Sequence, residues 1–324
     1  MKIVKIASAV LLLTLAPSCQ AQKKTTPTTH LKTYAEISVK TDGKWEGRKY
    51  IGGTAFKNVQ TLKLAPEHTD HSFDIRYEGP GWESSKVGYR LYLDWRNAID
   101  IFGKKTDTIV LPQVGQDGFD SYHEMSNWGA DIFKAGKGIG IGSIDRYLNN
   151  ERLHFYEVDS TIASVQNKPN ESSVKINYYG WKTASDKIDF TSLLTIDTDQ
   201  RYTKHTIQAS KEIKGICTGI VKQKNTEFYK KESANKKWAY MATYGTQSLV
   251  PDKLGIAIFY EVNTIEASPE TDLDYLLVFK PTTKSTSFYF LGAWEQEKDG
   301  IKTKEEFIAY LDQQLALLNK KNKL

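Results

Sequence analysis

The stretch Tyr89-Arg90-Leu91-Tyr92-Leu93-Asp94-Trp95-Arg96 alternates with period two, the period of a strand and not of a helix. Read as a strand, it turns Tyr89, Leu91, Leu93 and Trp95 toward a core and sets Arg90, Tyr92, Asp94 and Arg96 in a ladder on the opposite face. Such a ladder is either a set of solvated ion pairs, each worth about 0.2–1 kcal/mol, or the cationic wall of a site.

The same period recurs outward from this stretch. Y-A-E-I-S-V from Tyr34 and V-Q-T-L-K-L from Val59 alternate, with T-D-G and P-E-H-T-D turns between them. From Leu153 onward L-H-F-Y-E-V, V-K-I-N-Y-Y, L-L-T-I-D, K-H-T-I-Q, L-G-I-A-I-F-Y and Y-L-L-V-F follow one another with turn residues between them. This quantity of short antiparallel strand predicts a mostly β fold: a large antiparallel β-sandwich, supersandwich-like, over residues 34–324 as a single domain, with a barrel or two sandwiches as other closures. Two helices interrupt the pattern. At the end of the chain Thr303 and Glu306 form a capping-box pair, and Phe307, Leu311, Leu315 and Leu318 make a helical stripe that should dock on a sheet.

The second helix is expected in the run from Asp120 to Ile144, D-S-Y-H-E-M-S-N-W-G-A-D-I-F-K-A-G-K-G-I-G-I-G-S-I. Ser121 and Glu124 are spaced as a capping box; Met125, Trp128, Ile132 and Phe133 recur at three and four residues, and Gly136 suits a left-handed terminator. On that helix His123, Asn127 and Lys134 fall on the face opposite the apolar stripe. G-K-G-I-G-I-G from Gly136 is not a phosphate loop, because Gly138 stands where Ser or Thr must follow Lys137. Alternating glycines instead suggest a strand over which another backbone or a sugar ring passes closely.

At the start, Lys2 and Lys5 precede an apolar run from Ile6 to Ala16 that is too short to span a bilayer and has the layout of a secretory leader, assigned to residues 1–21. Export to the periplasm is the expectation, and Cys19 offers a lipid anchor to the outer membrane, although Ala16 and Pro17 make a poor lipobox. Residues 22–33 read as a polar tether. The only other cysteine, Cys217, is left without a disulfide partner once the leader is removed or Cys19 is lipidated. Loss of Lys2 and Lys5 lowers the formal charge of +5 by two. So mild a balance, with no basic arm, argues against nucleic acid and for a localised match to an acidic glycan. His68 and His71, with Asp70 and Asp74, are a metal-ligand pattern in turn chemistry, but with no cysteine cluster no metal or other cofactor is expected. Trp181, Trp238, Tyr240, Tyr244 and Trp294 would either stack on sugars or fill the core.

The runs Y-E-G-P-G-W-E-S from Tyr77, Y-R-L-Y-L-D-W-R-N-A-I-D-I-F-G-K from Tyr89 and Y-H-E-M-S-N-W-G-A-D-I-F-K-A-G-K from Tyr122 resemble the domain-of-unknown-function 4861 family of exported bacterial proteins. That family sits beside polysaccharide-degrading enzymes and includes an ulvan oligosaccharide dehydratase. The resemblance implies loss of water from a non-reducing-end uronic acid, leaving a 4,5-unsaturated uronate. Such chemistry asks for relief of the carboxylate charge, a base for the C5 proton and an acid for the departing C4 hydroxyl. Arg90 and Arg96 are candidates to clamp the carboxylate through parallel hydrogen bonds, His123 to act as base, and Tyr92 or Tyr122 as acid. Trp82, Glu83, Asp94, Asn127, Lys134 and Lys137 are candidates to contact the substrate. A polysaccharide lyase uses the same groups with a sugar as leaving group, and a non-catalytic glycan-binding module would use exposed aromatics alone.

Overall fold

The computed structural model describes residues 31–117 and 121–324. The predicted leader, most of the tether, Cys19 and Asp120 lie outside the described residues. Thr33, read as the last tether residue, is already the first residue of the strand Thr33–Lys40, with its hydroxyl on Ser172.

Nine antiparallel strands form the larger sheet, in the order Thr226–Glu232, Trp238–Thr246, Lys253–Glu261, Thr286–Trp294, Tyr202–Ala209, Asp186–Asp197, Glu171–Thr183, Ser160–Asn167 and Thr61–Lys63. Its middle strands are apolar on both faces because both are covered. Along Trp238–Thr246, Ala239 and Met241 enter the core shared with the second layer, whereas Trp238, Tyr240, Ala242 and Tyr244 face the other way. The C-terminal helix, Lys304–Lys321, lies on that outer face and presses Phe307, Leu311, Leu315 and Leu318 against them. Its expected capping box is formed: Thr303 accepts from the Glu306 amide and Glu306 returns the bond. Of the aromatic residues read as sugar platforms or core, Trp181, Trp238, Tyr240, Tyr244 and Trp294 are all buried, and hence core.

The second layer has two sheets. One runs Phe56–Val59, Thr33–Lys40, Gly81–Ser84, Val87–Leu91, Ile99–Lys104 and Gly129–Asp131; the other runs Glu151–Leu153, Asp145–Leu148, Ile216–Val221, Asp274–Phe279 and Ile265–Ala267. The glycine run joins them, through a parallel bridge between Ile99 and Gly140 and an antiparallel one between Ile141 and Ile220. Another backbone does pass closely here. At Gly142, with φ +65°, a Cβ would also lie 2.2 Å from the Phe290 ring of the large sheet. Polar pins cross the layers: Trp82 Nε1 donates to Thr203 Oγ1 at 2.8 Å, the Tyr89 hydroxyl accepts from the Gly292 amide at 2.9 Å, and His205 Nδ1 lies 2.9 Å from the Gly142 carbonyl. Burial pushes the His205 imidazole down to about 4, so it is held neutral.

Two expectations are corrected. The strand of the opening stretch ends at Leu91, because Asp94 closes a turn: its carboxylate accepts from the Arg96 amide at 2.8 Å and its carbonyl from the Asn97 amide at 3.1 Å. The helix after Ser121 is only a single 3-10 turn, Ser121–His123. The Ser121 hydroxyl donates to Asp117, and Gly129–Asp131 is an edge strand on Ile99–Lys104. At Gly129, with φ +131°, a Cβ would lie 1.8 Å from the Gly103 carbonyl, so the close pairing of these strands takes the backbone groups a helix would need. Met125 is left exposed, while Ile132 and Phe133 are both buried as adjacent residues instead of a helical stripe.

Candidate functional site

Arg90 leaves the strand Val87–Leu91 on the polar face expected for it, but that face is interior. The guanidinium is enclosed, with Nη1 donating to the Tyr77 carbonyl at 3.3 Å, Glu78 at 3.2 Å and the Tyr122 hydroxyl at 3.1 Å. Its Nη2 donates to the Tyr92 hydroxyl at 2.9 Å, Asp100 at 3.1 Å and Asp131 at 2.7 Å. Both terminal nitrogens are committed and Nε, though without a hydrogen bond among the described residues, is buried, so Arg90 positions the groups around it and does not meet a substrate carboxylate. The Tyr92 hydroxyl donates to Asp100. Burial, with repulsion from Asp131, pushes the Asp100 carboxyl up to about 6, and burial does the same to Asp131. Burial likewise raises Tyr92 and Tyr122, which stay protonated as acids would need to be.

Arg96, past the Asp94 turn, stacks its guanidinium 4.0 Å from the centroid of the Tyr92 ring. Nε donates to Asp94 at 2.9 Å, and Nη2 meets Glu78 at 2.7 Å and Asp70 at 2.8 Å. Nη1 makes no hydrogen bond among the described residues, although the guanidinium as a whole is ion-paired with Asp70, Glu78 and Asp94. Glu78 lies between the two guanidiniums because the backbone at Tyr77 and Glu78 is left-handed, with φ of 43° and 69°. Such strain persists only where surrounding contacts over-determine it, and it concentrates at functional sites.

His123 joins the same network. Its Nδ1 lies 3.4 Å from Asp131, its side chain is 36% exposed, and its ring rests against Tyr122 with centroids 4.5 Å apart. The structure therefore brings Arg90, Tyr92, Arg96, Tyr122 and His123 together through shared carboxylates. Asp94 belongs there too, as the buried anchor of Arg96. Asn127 and Lys134 are exposed, and among the described residues no side-chain hydrogen bond or ion pair ties them to the cluster.

Trp82 and Glu83 are corrected to structural roles. Trp82 is fully buried. Glu83 holds Lys104 Nζ at 2.6 Å and the Val110 and Leu111 amides at 2.9 and 2.7 Å, with burial raising the carboxyl and lowering the ammonium.

The paired His68 and His71 separate: His68 Nδ1 lies 2.8 Å from Asp74, and His71 Nδ1 lies 2.5 Å from Asp70. Asp70, His71 and Glu78 are the group that could hold a cation, with ligand atoms within 4.8 Å of one another. Arg96 already supplies positive charge to two of these three.

Arg96 opens onto a cleft of about 740 Å³, lined also by Trp95, Lys137, Arg152, His154 and Tyr156. Tyr156 is 66% exposed and lies parallel to Trp95, centroids 5.0 Å apart at 12°. His154 stands edge-on to both rings, at 5.1 and 5.6 Å, with Nδ1 3.2 Å from Asp145. Arg152 is committed to Asp145 and Asp274 at 3.0 and 3.3 Å, whereas the exposed Lys137 ammonium has no ion pair among the described residues. This wall is hidden in the sequence. L-H-F-Y-E-V looked like a strand, but beyond Leu153 it is irregular chain that buries Phe155 and turns His154 and Tyr156 outward. A His and a Tyr flanking one apolar residue was the available signal.

Among solved structures, similar chains are a putative kojibiose phosphorylase from the human microbiome (TM-score 0.42, 11% identity, 73% of this chain and 32% of that one), a 4-alpha-glucanotransferase from Thermococcus litoralis (0.33, 13%, 69% and 40%) and a TPR-domain containing protein from Parabacteroides distasonis (0.33, 6%, 80% and 54%). The chain spans from about a third to about half of the length of these structures. No curated protein matches it. The sequence model of the family described as domain of unknown function DUF4861 matches residues 13–324, and the chain belongs to that family.

Proposed function

We propose that the protein is a carbon–oxygen lyase acting on uronate-bearing oligosaccharides: a dehydratase that removes water across C4 and C5 of the terminal uronic acid. The observation that carries this reading is one cleft in which an aromatic face, Trp95 with Tyr156, meets two N–H donors that make no hydrogen bond among the described residues: Lys137 Nζ and the Nη1 of Arg96, whose charge is shared with Asp70, Glu78 and Asp94. Stacked rings suit the C–H face of a sugar, and the Lys137 ammonium with the remaining N–H edge of Arg96 suits a carboxylate. Neutralising that carboxylate makes the C5 proton removable. His123, whose Nδ1 lies 3.4 Å from Asp131 in the cluster that Glu78 joins to Arg96, takes the proton; Tyr92 or Tyr122, kept protonated by burial, returns one to the leaving hydroxyl. His154 is the wedge that fixes the Trp95–Tyr156 wall. The apolar leader fits export to the compartment where such oligosaccharides arise.

The test is incubation with saturated oligosaccharides of a uronate-containing polysaccharide, read by absorbance and by mass together. A product lighter by one water, of unchanged chain length and absorbing as a conjugated unsaturated uronate, is expected. Chain scission would show a polysaccharide lyase, and binding with no new absorbance a glycan-binding module.

A further inference from the structure

A second cleft, of about 660 Å³, shares the same aromatic pair: Trp95 and Tyr156 line both it and the 740 Å³ cleft. His68 lines it, together with Lys63, Arg48 and Ser160. The His68 side chain is 2% exposed. Its Nδ1 is held by both oxygens of Asp74, at 2.8 and 3.1 Å, and its Nε2 has no hydrogen-bond partner among the described residues. An orphaned buried ring nitrogen is costly unless something outside the chain satisfies it. Asp74 fixes both the ring orientation and which nitrogen carries the first proton, which leaves Nε2 as an acceptor in the neutral ring and a donor in the charged one. A hydroxyl group serves either state.

We infer that this cleft is a further saccharide subsite, in which a hydroxyl of the next sugar unit satisfies His68 Nε2 while the chain crosses the Trp95–Tyr156 pair from one cleft to the other. This rests on reading the first cleft as a saccharide site, but not on what chemistry occurs there. The exposed Lys63 and Arg48 make the cleft hospitable to an acidic sugar as well.

The test is calorimetric binding of saturated uronate di- and tetrasaccharides to the full chain carrying His123→Ala, so that turnover does not consume the ligand. The tetrasaccharide is expected to bind about tenfold tighter than the disaccharide, the yield of roughly one buried hydrogen bond. Adding His68→Phe should bring the ratio to about one with disaccharide affinity retained. Ser160→Trp fills the cleft from a half-buried position and leaves the His68–Asp74 pair in place, so it decides the matter if His68→Phe does not fold. Equal affinity for the two lengths, or a length preference that survives Ser160→Trp, overturns the subsite. Lack of unsaturated product from the wild type would sink the dehydratase reading and leave this ratio measurable, whereas no binding of either length sinks both.

Discussion

Arg90 and Arg96 share Glu78, yet lysine should affect the two positions in different ways. Arg90 distributes six contacts from a planar fork inside the protein. An ammonium cannot span them, so Arg90→Lys should lower the melting temperature sharply, by the equivalent of about 3–5 kcal/mol for a broken buried ion-pair network. Arg96→Lys keeps its charge beside Asp94 but loses the nitrogen that opens onto the cleft. Turnover of a uronate substrate should drop by about tenfold or more, and melting should fall by less than in Arg90→Lys, because an ammonium loses the fork on Asp94 and the stack on Tyr92 at a site that is only partly enclosed; thermal melts beside rate measurements separate the two effects. The Asp100–Asp131 pair governs pH. Each carboxyl is pushed up to about 6, so below that the pair takes up protons and Asp131 no longer holds His123 or Arg90 as an anion. The kcat/KM profile should show an acid limb near pH 6 that belongs to the pair, and Asp131→Asn should abolish it. A limb of unchanged position in Asp131→Asn would assign it elsewhere. Because the folded pKa values are raised above 3.8, the folded state holds protons that the unfolded chain releases between about pH 4 and pH 6. The pair's contribution to stability therefore falls as pH rises through that window and is constant above it.

At the scale of elements, the C-terminal helix was legible because local and tertiary signals agree: the Thr303–Glu306 box starts it where the Phe307, Leu311, Leu315 and Leu318 stripe begins. Thr303→Ala should cost about 1 kcal/mol and Leu311→Ala about 2–5 kcal/mol, read as denaturation midpoints. Equal, negligible losses would mean that the helix does not cover the large sheet in solution. The run after Ser121 carried the same kind of local signals and folded otherwise. Gly129 can approach the Gly103 carbonyl only because it has no side chain, and the resulting strand pairing outweighs a capping pattern with a glycine in its midst. That competition is between residues some two dozen apart in the chain, which a local window does not weigh. In the opening stretch the alternation read correctly which side chains share a face; it could not say that the polar face is interior, because the carboxylates that neutralise it, Glu78, Asp100 and Asp131, arrive from neighbouring segments.

Across the whole molecule, period-two runs were enough to identify two packed antiparallel layers, since each layer must bury a face. The site was only partly legible. Its polar half comes from the Tyr89–Arg96 and Asp120–Ile144 runs that the residue types singled out, joined by Glu78 and Asp100. Its aromatic wall comes from Trp95 and from His154 and Tyr156, which the strand-like pattern of their run concealed. Two histidines have Nδ1 near a carboxylate, His123 at 3.4 Å from Asp131 in the Arg90 cluster and His154 at 3.2 Å from Asp145 in the cleft wall, and proton abstraction is assigned to the first. The most direct measurement is turnover of a saturated uronate oligosaccharide by His123→Ala and His154→Ala against wild type, with substrate affinity determined in parallel. His123→Ala should be slower by at least about 100-fold, the low end for loss of a general base, with affinity retained, whereas His154→Ala should chiefly weaken binding. Wild-type turnover in His123→Ala would contradict the account.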